Sequence, residues 1–178
     1  TINLGLFYGM GKNKLQAELG VSKDKSDELF KKYHSQVPFV KQLMDAVMRR
    51  AQESGKIRTL LGRVCRFPLW EPAQFGIHKA LSHEDALREH GPGIKRAYTY
   101  KALNRLIQGS AADMTKKAML DLYNEGITPH IQVHDELDIS VEDDIKAQKI
   151  KQIMESAVTL EVPNKIDYEF GTNWGNIK

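Results

Sequence analysis

The stretch IQVHDELDISV, residues 131–141, decides how this chain of 178 residues is interpreted. Apolar and β-branched residues flank His134-Asp135 on both sides, which predicts two short strands joined by a tight turn. Asp135 and Glu136 place adjacent carboxylates at that turn. Such oxygen ligands suit Mg²⁺, which needs one or two protein carboxylates and lets water and substrate phosphates complete its coordination. The alternative is a solvent-exposed turn that is simply rich in acidic residues.

Charge is distributed along the chain in blocks. Lys41–Arg66 contains seven Lys/Arg and two acids, Ile94–Lys117 contains six Lys/Arg and one acid, and His134–Asp144 contains six acids and no Lys or Arg. Two basic blocks and one acidic block predict a polyanion-binding surface and a metal site. Solvated helix faces are the alternative explanation of the same charges.

Composition excludes several classes of protein. The chain is 41% hydrophobic and 28% charged, which is typical of a globular protein, and no apolar run approaches the length of a membrane span. The single cysteine, Cys65, excludes an internal disulfide and a cysteine-based zinc site, which favours a reducing, cytoplasmic location. Because the chain starts at Thr1 and has no signal peptide, we expect its N-terminus to be a cut.

Periodicity predicts helices interspersed with hairpins. We expect a helix over Ser22–Tyr33 with Ser22 as N-cap, and a second helix from Pro38 that ends at Gly55. Lys56–Phe67 predicts a hairpin, and Leu69–Gly93 an extended loop with one short helix. The remaining predicted elements are a long helix from about Lys95 to Asn124, a helix over Glu142–Val158 and a last strand over Lys165–Phe170. This pattern predicts an α+β fold.

Two amides on the long predicted helix have the spacing of a recognition surface. Asn104 and Gln108 are four residues apart, so they share a helix face, and small residues follow them. Amide donors can contact the minor-groove acceptors N3 and O2 of every base pair. A hydrogen-bonded contact between two helices is the alternative. His130 and His134 would lie about 13 Å apart on a strand, so a zinc pair there is disfavoured.

Four stretches, taken in order, resemble the C-terminal half of the polymerase domain of family A DNA polymerases. They are INLGLFYG (Ile2–Gly9), TLLGRVCRFP (Thr59–Pro68), ALNRLIQGSAAD (Ala102–Asp113) and IQVHDELDISV (Ile131–Val141). The stretch LWEP and the loop after it look most like phage-type members. The resemblance implies fingers helices plus part of the palm antiparallel sheet of a right-hand polymerase. Residues 1–100 would be partial fingers, with an inserted loop at about 69–93. Residues 101–178 would be palm, with the catalytic hairpin at 131–141.

The resemblance also implies roles for individual residues. Asp135 would be a catalytic metal ligand, with Glu136 as a second carboxylate, in a two-magnesium site that adds deoxynucleotides to a primer 3′-hydroxyl. The nucleotide- and template-binding residues would be Leu4, Tyr8 and Gly9. The residues that contact primer-template DNA would be Asn104, Gln108, His134 and Arg63.

The chain departs from the family pattern at two positions and lacks two features of it. Leu4 stands where members have Phe or Tyr, and Tyr100 where many have Arg. The triphosphate-gripping Arg and Lys and the second palm aspartate lie upstream of this sequence in the family. We therefore expect the chain to need an upstream polymerase segment or a complementary chain for activity. A non-catalytic DNA-binding module that retains the fold is the main alternative, and a metal-dependent nuclease is another.

Overall fold

Helices and short strands alternate in the computed structural model, which describes residues 2–74, 76 and 79–177, without the side chains of residues 2 and 4. The helices are α1 (Ile2–Phe7), α2 (Lys12–Leu19), α3 (Lys23–Gln36), α4 (Pro38–Ser54), α5 (His83–His90), α6 (Ala102–Asn124) and α7 (Asp144–Ser156). The strands are β1 (Lys56–Arg58), β2 (Val64–Arg66), β3 (Trp70–Pro72), β4 (Ile94–Arg96), β5 (Ile131–Val133) and β6 (Glu136–Asp138). The described strands pair as the antiparallel sheets β1–β2, β3–β4 and β5–β6. This mixture of helices and small antiparallel sheets confirms the predicted α+β class.

The chain divides into two compact units, Thr1–Gly109 and Ser110–Lys178. Residues 102–109 of α6 belong to the first unit and residues 110–124 to the second. No helix of the described residues is long and apolar enough to cross a lipid bilayer.

The helix ends in the first unit follow from local sequence signals. The Ser22 side chain accepts a hydrogen bond from the Lys25 N–H and caps α3, as predicted. Pro38 occupies the first turn of α4, where the lack of an N–H costs nothing. Gly55 ends α4 with φ of +69°, a left-handed conformation that favours glycine. The helices predicted to begin near Ser22 and Pro38 are therefore confirmed.

The hairpin β1–β2 closes the core of the first unit. Its register pairs Ile57 with Cys65, and the predicted hairpin over Lys56–Phe67 is confirmed. Ile57 and Phe67 are buried together with Ala51 of α4 and Ala102 of α6. We call these four residues the first-unit core.

The segment before α6 differs from the prediction of one helix from Lys95. Ile94–Arg96 instead forms β4, which pairs with β3 in the stretch that was predicted to be a loop. The Arg96 guanidinium lies 4.5 Å from the centroid of the Trp70 ring and donates to the Phe67 carbonyl over 3.1 Å. These contacts hold the residues extended, and Tyr98 then turns the chain with φ of +62°. The helix consequently begins at Ala102.

The second unit packs one hairpin against two helices. Leu122, Ile127 and Ile150 are buried, and Leu137 and Ile139 pack against them. We call Leu122, Ile127 and Ile150 the second-unit core. α6 ends at Asn124, as predicted. α7 lies within its predicted range, and the Asp143 carboxylate caps it by accepting from the Lys146 N–H over 2.7 Å.

The prediction of a strand over Lys165–Phe170 is wrong. Within the described residues this segment pairs with no strand, although its sequence favours extended structure. The Ile166 N–H donates instead to the Glu155 carboxylate over 3.0 Å. Phe170 stays 67% exposed. A strand requires a partner for its backbone hydrogen bonds, and local sequence alone cannot supply one.

Candidate functional site

Tyr8 lies just beyond the end of α1, in the turn that contains Gly9. The Gly9 N–H donates to the Leu6 carbonyl over 3.1 Å. Gly9 has φ of +86°, and a Cβ added there would lie 3.1 Å from Sδ of Met44. Glycine is therefore favoured at this position both by its backbone and by the space around it. The side chain of Leu4, which was predicted beside Tyr8, lies outside the described part of the chain.

The predicted amide pair lies on α6 with its side chains exposed. Asn104 and Gln108 are one turn apart on the same face, as the sequence predicts. Gln108 Nε2 donates to the Tyr8 hydroxyl oxygen over 2.8 Å, although the two residues are 100 positions apart. The structure thus joins one residue predicted at the templating position to one predicted at the minor groove.

Arg63 attaches the β1–β2 loop to α6. Its Nη2 donates to the Gly109 carbonyl oxygen over 2.8 Å. A Cβ at Gly109 would lie 2.9 Å from Cγ2 of Thr59, so a larger residue would push the loop away. Sequence reasoning missed Gly109. Its signal was a glycine inside a strongly helical stretch, which often marks a close approach of two elements.

The two basic blocks differ in how their charges are used. All seven Lys/Arg between Lys41 and Arg66 are exposed. In the second block, Arg96 Nε donates to the Gln52 carbonyl over 3.2 Å, and the Arg105 guanidinium lies 4.8 Å from the centroid of the Phe67 ring. Part of the second block therefore stabilises the fold, whereas every charged residue of the first block remains exposed, including Arg63 with its bond to Gly109.

In the second unit, His134 and Asp135 form the two-residue turn of the β5–β6 hairpin. The register pairs Val133 with Glu136. His134 has φ of +53°, a conformation that tight hairpin turns use and that residues other than glycine adopt only in a few per cent of cases. Gln132 Nε2 donates to the His134 carbonyl over 2.6 Å and holds the turn. Backbone strain of this kind is often found at functional sites.

The two faces of this hairpin are covered differently. Leu137 and Ile139 point toward the second-unit core. Cross-strand partners share a face, so Ile131 and Val133 project on the opposite side together with Glu136. Ile131 is 46% exposed and Val133 is 42% exposed. We call this side of β5–β6 the open face.

The carboxylates at the hairpin turn are not neutralised by a neighbour. Asp135 and Glu136 are exposed, and neither side chain has an ion-pair or hydrogen-bond partner among the residues that the structure describes. Several other acidic side chains are paired. The Lys79 ammonium, for example, hydrogen-bonds Glu89 over 2.7 Å and lowers the pKa of that carboxyl. The hairpin turn therefore presents concentrated negative charge to solvent.

Comparison with models of known families identifies the family of this chain. The model of the family described as DNA polymerase family A matches residues 1–176. The chain belongs to DNA polymerase family A. The predicted resemblance is confirmed.

Relatives in this family come from a phage and from bacteria. The chain is 39% identical, over 144 residues, to a DNA-directed DNA polymerase of Pseudomonas phage M6, an alignment that covers 81% of this chain and 18% of the relative. It is 32% identical, over 187 residues, to DNA polymerase I of Geobacillus stearothermophilus, which covers 100% of this chain and 19% of the relative. The chain thus spans about a fifth of the length of these relatives.

A solved structure of a polymerase domain shares the fold. It is the POL domain of Pol1 from M. smegmatis in complex with DNA primer-template and dNTP. The match has a TM-score of 0.67 and 27% sequence identity, and it covers 91% of this chain and 27% of that chain.

The described residues of this family A chain include two candidate metal ligands but no complete metal site. Among residues 2–74, 76 and 79–177, no group of three His, Cys, Asp or Glu could hold a metal ion. Asp135 and Glu136 supply the hard oxygen donors that Mg²⁺ prefers, and Mg²⁺ uses one or two carboxylates with water and phosphates. The pair therefore fits a magnesium site that other ligands complete. His130, one of the two histidines for which a zinc pair was disfavoured, has its Nε2 3.0 Å from the Ser140 hydroxyl oxygen.

Proposed function

We propose that this chain is part of a template-directed DNA polymerase, which adds deoxynucleotides to the 3′-hydroxyl of a primer. The observation that carries the proposal is the presentation of the exposed Asp135 and Glu136 carboxylates at a tight hairpin turn in a chain of family A. The printed names of the relatives and the DNA-bound state of the M. smegmatis structure support it. The bacterial and phage relatives also support the cytoplasm of a bacterial or infected cell as its location.

The hairpin residues divide the work at the reacting end of the primer. Two Mg²⁺ ions, when bound, would promote ionisation of the primer hydroxyl and neutralise charge on the triphosphate. The Asp135 carboxylate is the ligand that this chain contributes, and Glu136 beside it is the second carboxylate. His134, at the start of the turn, faces the primer 3′ end in this proposal. Its strained backbone fixes where the neighbouring carboxylate projects.

The first unit binds the template and the new duplex in this proposal. Tyr8, with Leu4 and Gly9 in the same segment, packs at the templating position beside the nascent base pair. Asn104 and Gln108 donate to minor-groove acceptors, which checks pair shape without reading sequence. Arg63 and the exposed charges of Lys41–Arg66 attract phosphates in a salt-dependent manner. We assign residues 1–100 to the fingers, with the inserted segment at about 69–93, and residues 101–178 to the palm.

Activity in this proposal requires an upstream segment of the polymerase. The chain spans 19% of the length of the Geobacillus relative, so most of such a polymerase lies outside it. The described residues offer no third acidic ligand beside Asp135 and Glu136. The open face of β5–β6 and the exposed Phe170 leave apolar surface that a further segment would cover.

Primer extension tests the proposal. The 178-residue chain is assayed with Mg²⁺ and four deoxynucleotides, alone and together with the upstream gene segment. We expect extension only in the mixture. In the active mixture, Asp135→Asn should lower the extension rate by roughly 10³-fold or more, as expected for loss of a group that stabilises charge at the reacting phosphate.

Glu142→Gln provides the matched control, because it removes one charge from the same acidic block beyond the hairpin. It should leave extension within about 2-fold of the parent, since its ion pair with Lys146 is exposed. Rapid extension by the 178-residue chain alone would show that no upstream segment is needed. Full activity of Asp135→Asn would remove the catalytic assignment.

The exposed basic block also favours a second candidate, a non-catalytic DNA-binding module. All seven Lys/Arg of Lys41–Arg66 face solvent, which suits binding to a polyanion without chemistry. Both candidates predict duplex binding that weakens with salt. The module predicts that the mixture with the upstream segment stays inactive and that Asp135→Asn binds duplex DNA as the parent does.

A further inference from the structure

The hydrogen bond between Gln108 and Tyr8 joins an exposed side chain to an anchored one. Gln108 is exposed on α6, and a free glutamine there would sample many rotamers, so that fixing it in one of them costs conformational entropy. Its Nε2 instead donates to the Tyr8 hydroxyl over 2.8 Å. The bond therefore fixes an amide that would otherwise have to be ordered when a substrate binds.

Tyr8 is held by contacts of its own. Its ring meets the ring of Phe7 edge-on, with the centroids 5.6 Å apart. The turn that follows is closed by the Gly9 N–H, which donates to the Leu6 carbonyl, and the ring is half-buried. Tyr8 is thus the better-anchored partner, and the direction of influence runs from its hydroxyl to Gln108.

Asn104 provides an internal comparison on the same helix face. It is exposed one turn before Gln108, and the described residues offer its amide no hydrogen-bond partner. Two amides that share a face thus differ in one respect: the Gln108 amide is held in position, whereas the Asn104 amide is not.

We propose that the Tyr8 hydroxyl is a positioning group for Gln108 and holds its amide where it meets the minor groove of the terminal primer-template pair. This inference rests on the proposed function. One N–H of the amide is used by Tyr8, and the second N–H and the carbonyl are left for the DNA. Through this bond, the residue at the templating position and the residue that checks the last pair act together.

Tyr8→Phe in the complete polymerase tests the inference, because it removes the hydroxyl and keeps the ring. Extension is measured on primers that end in guanine or in 3-deazaguanine, which lacks the minor-groove acceptor N3. In the parent enzyme we expect the deaza substitution to lower kcat/KM by about 10-fold. In Tyr8→Phe, kcat/KM on guanine should fall by roughly 3- to 10-fold, the range for one hydrogen bond. The deaza effect, which is the ratio of kcat/KM on the guanine primer to kcat/KM on the 3-deazaguanine primer, should shrink by the same factor.

Two matched variants separate positioning from a general loss of structure. Tyr123→Phe makes the same substitution at an exposed tyrosine and should change neither kcat/KM nor the deaza effect. Gln108→Ala should abolish the deaza effect whether residue 8 is Tyr or Phe. The melting temperature of Tyr8→Phe should stay within about 2 °C of the parent, as for loss of one exposed hydrogen bond.

The outcomes distinguish this inference from the proposed function. If the parent extends primers and Tyr8→Phe keeps the full deaza effect, the hydroxyl does not position Gln108. If Tyr8→Phe extends the guanine primer faster than the parent, the bond occludes Gln108 instead, which also overturns the inference. If the complete polymerase extends no primer, it is the proposed function that fails.

Discussion

The hairpins β1–β2 and β5–β6 share a design and differ in what covers them. Each consists of two antiparallel strands of three residues. In the first, Ile57 is 5% exposed, and Phe67, directly after β2, is 2% exposed. In the second, Ile131 and Val133 are 46% and 42% exposed. Both hairpins bury one face, but the outer face of the first carries Lys56, Arg58 and Arg66, whereas the outer face of the second carries Ile131 and Val133. We call the first the sealed hairpin, because Ile57 and Phe67 are covered, and the second the open hairpin.

The difference shows that a short hairpin can serve stability alone or can also leave apolar and charged groups accessible. Burial of Ile57 and Phe67 contributes several kcal/mol, at about 1.5–3 kcal/mol for each fully buried side chain. The second hairpin leaves Ile131, Val133 and the carboxylates of its turn accessible. In the proposed polymerase, that accessibility would let Asp135 and Glu136 meet a substrate, because burying unpaired carboxylates would carry a large desolvation cost.

The largest stability effect is expected in the sealed hairpin. Phe67→Ala should lower the free energy of unfolding of the first unit by about 3–5 kcal/mol, because it leaves a cavity in the first-unit core. The unfolding of this unit can be followed by the fluorescence of Trp70 in a Trp174→Phe background, since Trp70 and Trp174 are the two tryptophans of the chain.

Phe39→Ala is the matched control, because Phe39 lies in the same unit and is 59% exposed. It should change the free energy of unfolding by less than about 0.5 kcal/mol. Equal losses in Phe39→Ala and Phe67→Ala would mean that the first hairpin is not sealed as described.

Substitutions on the open face should have a smaller effect, and it should be seen in the binding of an upstream segment. Ile131→Ser combined with Val133→Ser should weaken the binding of the 178-residue chain to its upstream segment by about 2 kcal/mol, or roughly 30-fold in Kd. About half of each side chain remains to be buried there. Isothermal titration of the two polypeptides measures this change.

Leu61→Ser serves as the control for that titration. Leu61 lies in the β1–β2 loop and is 49% exposed, so it resembles Ile131 in exposure but belongs to the sealed hairpin. It should leave the Kd within about 2-fold, as for a surface substitution outside the interface. If it weakens binding as much as the open-face variant, the open face is not the docking surface.

The elements that the sequence predicted correctly are those with local signals. Ser22 and Gly55 mark the ends of helices by capping chemistry that depends on a few neighbouring residues. The hairpin at His134-Asp135 is equally local, because apolar runs on both sides of a short polar pair leave few other arrangements. The predicted carboxylate pair is therefore found where the sequence places it.

The features that the sequence could not predict depend on distant contacts. Lys95 and Arg96 were predicted to begin the long helix, but the Trp70 ring and the Phe67 carbonyl hold Arg96 in a strand. The extended pattern of Lys165–Phe170 lacks a strand partner among the described residues. Tyr8 and Gln108 were each predicted as site residues, yet their bond spans 100 positions and no local pattern encodes it.

The smallest effect is expected at the turn of the open hairpin, where stability and activity should change in opposite directions. His134→Gly should raise the free energy of unfolding of the second unit by up to about 1 kcal/mol. Glycine adopts φ of +53° without the steric cost that a histidine bears, although it loses more entropy on folding. Amide hydrogen exchange at Ile150 in α7 reports on this unit, since Ile150 belongs to the second-unit core.

Val133→Gly, one residue earlier in β5, should instead lower the stability of the second unit by about 1 kcal/mol, because glycine loses more conformational entropy on folding and a strand position favours valine. Primer extension by the complete polymerase should fall in His134→Gly, since the imidazole is lost while the turn is retained. Function explains a histidine in this costly conformation only if His134→Gly both raises the stability of the second unit and lowers primer extension. A loss of stability in His134→Gly would show instead that the imidazole itself stabilises the fold, and the strain at this turn would then need no functional explanation.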